Sequence, residues 1–119
     1  MADAAHVTAC DYIGIASGNK EKDKISKAGL SVIKSEFVDA PVINELGMAL
    51  ECELVSYDVK SGCLVGNIIN VCADENVLTD GKIDVEKLDP ITYDPEAHTY
   101  RKLGALVADA FKEGKKLIK

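Results

Sequence analysis

The sequence predicts an α+β fold that is mainly antiparallel β, with short helices and a C-terminal helix. Residues 48–57 alternate between apolar and polar side chains, and residues 63–73 form a longer apolar run. The five residues between them have the length of a hairpin loop, so an antiparallel pair is expected. From about Thr99 the apolar residues recur at helical spacing instead. These residues are Leu103, Leu106, Val107, Ala110 and Phe111.

The first forty residues predict short helices and edge strands. A helix or helical turns over residues 4–16 end at a Ser-Gly-Asn triplet, and a second short helix covers residues 21–28. Gly29 follows it, and glycine favours the left-handed exit from a helix. Pro41 lacks a backbone donor, which excludes a central strand. We therefore expect short edge pieces and loop over residues 29–43.

The remaining elements leave the predicted core incomplete. Asp80-Gly81 predicts a turn, and the following KIDVEKL is read as a short strand edge or a helical turn. An isolated hairpin is marginal in water, and a strand as apolar as residues 63–73 needs pairing or cover. We therefore expect another chain or a missing segment to complete the core.

Size and charge exclude several classes of protein. The 119 residues fit a single domain, 1–119, and the net charge of −6 argues against a nucleic-acid partner. No apolar run has the length of a membrane helix, and the beginning MADAAHVTACDY lacks the features of a signal peptide. The expectation is a cytoplasmic protein without a nucleic-acid or membrane partner.

The cysteines and histidines predict no metal site. Cys10, Cys52, Cys63 and Cys72 show no C-x-x-C spacing, and the two histidines lie far apart. A free thiol within an apolar run behaves as a small hydrophobe. Reduced structural cysteines are therefore expected.

Four stretches of the chain carry a resemblance to a known family. They read CDYIGIASGN, DKISKAGLSVIKSEFVDAPVINELGMALECELVSYD, LVGNIINVCADENVL and DGKIDVEKLDPITYDPEAHTYRKLG. In this order and spacing, from about Cys10 to Lys115, they resemble the C-terminal portion of the flavin reductase-like, FMN-binding split-barrel proteins, in particular the flavoredoxin-like branch.

The resemblance implies a Greek-key split β-barrel that is only partial here, because the N-terminal barrel strands of the family have no counterpart. It implies FMN as the cofactor, near the subunit interface of a homodimer. It also implies reduction by NADH or NADPH, or electron transfer to a partner. In the family the N-terminal strands contribute contacts to FMN. The expected partner is accordingly a second copy, or a chain that supplies the missing strands.

The resemblance also implies cofactor-binding residues. Lys24 matches a family lysine near the flavin, where it would offset phosphate charge or polarise the ring's carbonyl edge. The alternative is an exposed helix lysine. Ser61 stands where the reductases commonly have a histidine. A serine can donate a hydrogen bond but cannot stack or titrate near neutrality, which puts hydride transfer in doubt.

Tyr93 and Tyr100 complete the set of predicted cofactor-binding residues. They lie in an irregular segment that is flanked by prolines. In the family this segment places an aromatic ring beside the flavin, and a flat amphipathic ring suits stacking on it. The alternatives are that Tyr93 covers the barrel end and that Tyr100 is the first core-facing residue of the C-terminal helix. No catalytic residue is assigned.

Two functions remain open at the level of sequence. The first is an FMN-binding flavoredoxin or flavin reductase-like protein, which transfers electrons or hydride through bound FMN as an NAD(P)H-dependent flavin oxidoreductase. The second is a truncated, non-enzymatic fragment or paralogue that dimerises without binding flavin. Nothing favours a hydrolase, since the chain has no G-x-S-x-G motif and no phosphate loop.

Overall fold

A computed structural model describes residues 1–118. The helices are α1 (Val7–Ile15), α2 (Lys24–Lys27) and α3 (Val85–Leu88), with 3₁₀ turns at Glu75–Val77 and Glu113–Leu117. The strands are β1 (Val32–Lys34), β2 (Pro41–Ile43), β3 (Met48–Asp58), β4 (Cys63–Ala73), β5 (Leu78–Thr79), β6 (Lys82–Ile83), β7 (Ile91–Asp94) and β8 (Thr99–Lys102). Within residues 1–118 no helix has both the length and the apolar character needed to cross a membrane.

The strands pair as four antiparallel ribbons: β1–β2, β3–β4, β5–β6 and β7–β8. The predicted central hairpin is confirmed as β3–β4, which runs in register from the Met48–Ala73 pair to the Asp58–Cys63 pair with two bulges. Pro41 opens the short strand β2, as expected for an edge position. The mainly antiparallel class is confirmed. Over residues 1–118 the ribbons do not close into a barrel.

The turns follow the local sequence chemistry. Asp80 and Gly81 both have positive φ, 51° and 73°, which is the geometry of the two-residue turn that joins twisted antiparallel strands. The KIDVEKL stretch contains both predicted alternatives, since it forms β6 and then α3. Asp84 caps α3 by accepting hydrogen bonds from the backbone N–H of Glu86 and Lys87.

The molecule exposes far more surface than a compact protein of its size. The chain measures 60 × 35 × 28 Å, and its radius of gyration is 17.3 Å against about 13.5 Å for a compact domain. It exposes 9359 Å², whereas a monomer of this mass is expected to expose about 6,200 Å². The buried apolar core consists of Leu30, Val77 and Leu88. The structure thus agrees with the expectation of an incomplete core.

The β3–β4 ribbon has one apolar face, and that face is exposed. The alternation of side chains along β3 and its register with β4 place five apolar side chains on one side of the ribbon. This apolar ribbon face consists of Leu50, Cys52, Leu54, Ile68 and Val71. The opposite side holds Glu51, the most buried residue of β3 at 6% exposure, whose carboxylate accepts hydrogen bonds from Ser35 and Asn70. These two bonds lower the pKa of Glu51.

The prediction of a C-terminal helix is wrong. Strand β8 occupies Thr99–Lys102, and residues 103–112 have no regular secondary structure. An amphipathic helix is stabilised mainly by burying its apolar face. Here Leu106, Val107 and Phe111 are 83%, 95% and 92% exposed, so no part of residues 1–118 covers the face that a helix would bury. Residues 103–118 are all exposed and form what we term the C-terminal arm.

Candidate functional site

Tyr93 and Tyr100 face each other across a β-hairpin. They are directly opposed in the β7–β8 register, with ring centroids 5.7 Å apart and ring planes inclined by 54°. The prediction of an irregular segment is therefore wrong at this point. The hairpin forms because the four-residue turn is built locally. Asp94 accepts hydrogen bonds from two backbone N–H groups of the turn, and His98 adopts a left-handed φ of 53°.

The Tyr100 hydroxyl ties this hairpin to helix α1. It donates a hydrogen bond of 2.7 Å to Oδ1 of Asp11. This bond, together with partial desolvation, raises the pKa of Tyr100 because ionisation would place a second negative charge beside the carboxylate. Tyr100 is thus a strand residue, not the first residue of a helix. Tyr93 is 53% exposed and its hydroxyl has no hydrogen-bond partner within residues 1–118.

Lys24 ties helix α2 to the end of α1. Its Nζ donates hydrogen bonds to the carbonyl oxygens of Ile13 and Ala16, at 2.7 and 2.9 Å. The last carbonyls of a helix lack partners within the helix, and a cation there also offsets the helix dipole. Lys24 is therefore neither a solvated helix lysine nor a free cation. An ammonium group has three donors, so one N–H remains beyond these two bonds.

Ser61 lies in the turn between β3 and β4. Its hydroxyl donates to Oδ2 of Asp58 at 2.6 Å, and the Asp58 pKa is lowered first by this bond and then by the Lys60 backbone N–H. Ser61 also accepts a hydrogen bond from the N–H of Cys63 at 3.3 Å. Its described contacts are thus those of a turn residue.

Helix α1 brings three of the four predicted residues into one connected group. Asp11 of α1 holds Tyr100, which packs against Tyr93, while the C-terminal carbonyls of α1 hold Lys24. No described hydrogen bond or ion pair joins Ser61 to this group. The sequence could not show this arrangement, because the Tyr100–Asp11 bond that joins the hairpin to α1 links residues 89 positions apart.

A concave surface between α1 and α2 was missed by sequence reasoning. It encloses about 430 Å³, within the range of small-ligand pockets. Its polar lining includes His6, Tyr12 and Lys27. Asp3 orients the His6 ring, with Oδ1 2.8 Å from Nδ1, and Lys27 pairs with two acidic residues of the α2 region that raise its pKa. The available signal was the D-x-x-H spacing before α1, in which Asp3 also accepts a hydrogen bond from the His6 backbone N–H.

The chemistry of the residues around α1 suits the ring system of a flavin better than its phosphate. Tyr93 offers an exposed aromatic face, and Lys24 keeps one N–H for an oxygen acceptor. Among the four predicted residues Lys24 is the single cation, and two carbonyls already engage it. A phosphate group is therefore not matched by these four residues.

The structure is similar to solved flavoredoxins. Flavoredoxin of Desulfovibrio vulgaris (Miyazaki F) has a TM-score of 0.84 and 37% identity, over 94% of this chain and 61% of that chain. Flavoredoxin from Methanosarcina acetivorans has a TM-score of 0.81 and 31% identity, over 97% of this chain and 61% of that chain. The chain thus spans about 60% of the length of these relatives. No protein-family profile and no curated protein sequence matches it.

A third solved structure shares the fold. It is the FMN-binding domain of a flavin reductases-like enzyme from Shewanella baltica, with a TM-score of 0.69 over 88% of this chain and 59% of that chain. At 18% identity this likeness shows the fold alone. Together with the two flavoredoxins it confirms the resemblance seen in the sequence. The chain is thus similar to solved flavoredoxins, and it corresponds to part of their fold.

Proposed function

We propose that the chain binds FMN and takes part in electron or hydride transfer as a flavoredoxin-like protein. The observation that carries the proposal is the α1-anchored group of Tyr93, Tyr100 and Lys24. The likeness to solved flavoredoxins and to an FMN-binding domain supports FMN as the cofactor of this proposal.

Each residue of the group has a binding or positioning role in this proposal. Tyr93 stacks its exposed ring on the flavin, and its free hydroxyl reaches the wet edge of the site. Tyr100 keeps the Tyr93 ring in place, because its hydroxyl is fixed by Asp11. Lys24 directs its remaining N–H to an oxygen of the flavin. The bound FMN supplies the redox chemistry, and the protein supplies position and electrostatics.

The identity of the reductant is part of the proposal. NADH or NADPH is the donor that the family resemblance implies, with the flavin receiving the hydride. Ser61 takes no proton in this scheme, since its hydroxyl hydrogen is committed to Asp58 and serine does not titrate near neutrality. Electron transfer from the reduced flavin to a partner needs no acid or base from the chain.

One observation favours a second candidate function. The four predicted residues do not match a phosphate, and the chain carries a net charge of −6. A flavin-free relative that assembles through its exposed ribbon would share both features. A titration with both FMN and riboflavin separates the two candidates, because the flavin-free candidate binds neither ligand. The comparison of the two ligands then shows whether the phosphate contributes to binding.

The test is a fluorescence titration of FMN, and separately of riboflavin, with the purified chain and two variants. Tyr93→Ala is expected to weaken binding of both flavins by about tenfold, the upper end of a stacking contribution. Tyr57→Ala is the matched control, since Tyr57 is an equally exposed strand tyrosine at 56% exposure. An absence of binding by the folded chain would favour the flavin-free candidate. An equal loss in both variants would contradict the site.

A further inference from the structure

We infer that Tyr100 and Asp11 form a proton-coupled redox site, at which a one-electron oxidant takes an electron from Tyr100 while the phenolic proton passes to Asp11. Suitable oxidants are a flavin excited by light or a soluble one-electron oxidant of similar strength. The flavin as the natural oxidant rests on the proposed function. The site itself rests on contacts within this chain.

A single hydrogen bond joins the two groups that this reaction needs. The Tyr100 hydroxyl donates to Oδ1 of Asp11 at 2.7 Å, a distance at which a side chain can take a proton directly. The acceptor is a carboxylate, so the bond is charge-assisted. The proton therefore moves along a bond that already exists, and no rearrangement of the fold has to precede its transfer.

Tyr100 is a neutral phenol before it is oxidised. The hydrogen bond to Asp11 is the main cause of its raised pKa, so the more easily oxidised phenolate is not available near neutrality. Oxidation must then remove the proton as well as the electron, because a phenol that has lost an electron is a strong acid. Within residues 1–118 no described ion pair engages Asp11, so a cation does not neutralise this acceptor.

The step balances in atoms and electrons. The oxidant gains one electron, the O–H bond of Tyr100 breaks, and the proton forms an O–H bond on Asp11. The products are a neutral tyrosyl radical and a protonated carboxylic acid. When the reduced oxidant or another donor returns an electron, the proton returns to the phenolic oxygen and the pair is restored.

Tyr93 connects this site to the proposed flavin position. Its ring centroid lies 5.7 Å from that of Tyr100, so electrons can exchange between the two rings. The Tyr93 hydroxyl has no described partner, and its oxidation would have to release the proton to water. The radical therefore settles on Tyr100. With a flavin stacked on Tyr93, the pair would quench the excited flavin and then return to its starting state.

The first test uses no flavin. A laser flash generates tris(bipyridine)ruthenium(III) in the presence of persulfate, and the tyrosyl absorbance is followed in time. Asp11→Asn keeps the size of the side chain but removes the base, so it is expected to slow tyrosyl formation at least ~10-fold. Tyr100→Phe is expected to remove the fast phase. Tyr57→Phe is the control that keeps it, since Tyr57 is an exposed strand tyrosine without a described hydroxyl partner. Equal rates in the wild type and Asp11→Asn would overturn the inference.

The second test follows the proton. If Asp11 takes it, the wild-type rate is independent of the concentration of buffer base and is lower in D₂O. In Asp11→Asn the proton has to leave to the buffer, so the rate is expected to rise with buffer concentration. A wild-type rate that rises in the same way, or that is unchanged in D₂O, would overturn the inference. These wild-type measurements decide the matter even where circular dichroism shows that a variant is unfolded.

The third test separates this inference from the proposed function. With FMN bound to the chain, the fluorescence lifetime of the flavin is expected to be longer in Tyr100→Phe than in the wild type. A chain that binds no FMN would contradict the proposed function, and the ruthenium experiment would still decide the inference. Bound FMN with equal lifetimes in both chains would overturn the flavin as the oxidant of this site.

Discussion

Lys24→Met tests whether this lysine ties α2 to α1. Methionine keeps an unbranched stem of similar reach but removes the two hydrogen bonds to Ile13 and Ala16. The α1 carbonyls then depend on water, and the favourable charge at the helix end is lost. We expect a lower free energy of unfolding and a loosened start of the following loop.

The magnitude follows from the contacts. A hydrogen bond from a charged donor contributes about 1.5–3 kcal/mol, and a cation at a helix C-terminus about 0.3–1 kcal/mol. Lys24 and the end of α1 are only half-buried, so water replaces much of what is lost. The expected loss is therefore about 1–2 kcal/mol, equivalent to roughly 1 M in the urea midpoint.

Urea unfolding followed by far-UV circular dichroism measures this loss. Lys22→Met is the matched control, because Lys22 is exposed and makes no described side-chain hydrogen bond; a change within about 0.5 kcal/mol is expected. Equal urea midpoints for Lys24→Met and the wild type would refute the stabilising role of the Lys24 hydrogen bonds. Weaker flavin binding without a loss of stability would mean that Lys24 acts on the ligand alone.

Three further predictions concern other contacts of the fold. Asp11→Asn is expected to lower the pKa of Tyr100 towards its ordinary value, seen in an ultraviolet alkaline titration against Tyr100→Phe; an unchanged titration would contradict the hydrogen bond. The folded-state pKa of Tyr100 is raised, so its contribution to stability is present below its unfolded pKa and is lost as pH rises through the folded value. The Glu51 pKa is lowered, so its contribution is present above glutamate's ordinary pKa and is lost as pH falls through the folded value. Glu51→Gln should flatten this acid limb of the stability profile, and an identical limb would contradict it. Gly47→Ala should cost about 1–3 kcal/mol in thermal unfolding, because a Cβ there would lie 2.8 Å from Cγ1 of Val77. An unchanged melting temperature would show that Val77 moves freely.

Much of the local structure could be predicted from the sequence. The central hairpin, the Asp80-Gly81 turn and the early helices depend on residue types that are near one another in the chain, so period and turn chemistry suffice. The incomplete core could also be predicted, because the two strongly apolar strands of the hairpin had no further element to cover them.

The C-terminal segment could not be predicted, for a physical reason. Residues 103–111 have helical periodicity. Such periodicity shows which face a helix would bury, but it does not show whether the fold offers a surface that covers this face. Within residues 1–118 no surface covers that face, and the segment has no regular secondary structure. The β7–β8 hairpin was missed for the opposite reason, since two prolines suggested a loop where the turn only begins after Asp94.

The sequence predicted which residues form the candidate site, but not how these residues are arranged in space. Tyr93 and Tyr100 were each named as flavin contacts, but the packing of their rings against each other was not predicted. The roles of Asp11 and of the α1 carbonyls depend on contacts across the fold, such as the Tyr100–Asp11 bond between residues 89 positions apart. Ser61 is explained by its turn, and its assignment to the flavin stays a prediction.

The measurement that tests the central claim most directly is sedimentation velocity of the chain mixed with FMN, followed by the visible absorbance of the flavin. The account predicts that flavin sediments together with the protein and that Tyr93→Ala lowers the fraction of flavin that does so. Flavin that remains entirely at the rate of the free molecule, with a folded chain in the same cell, would contradict FMN binding by this chain.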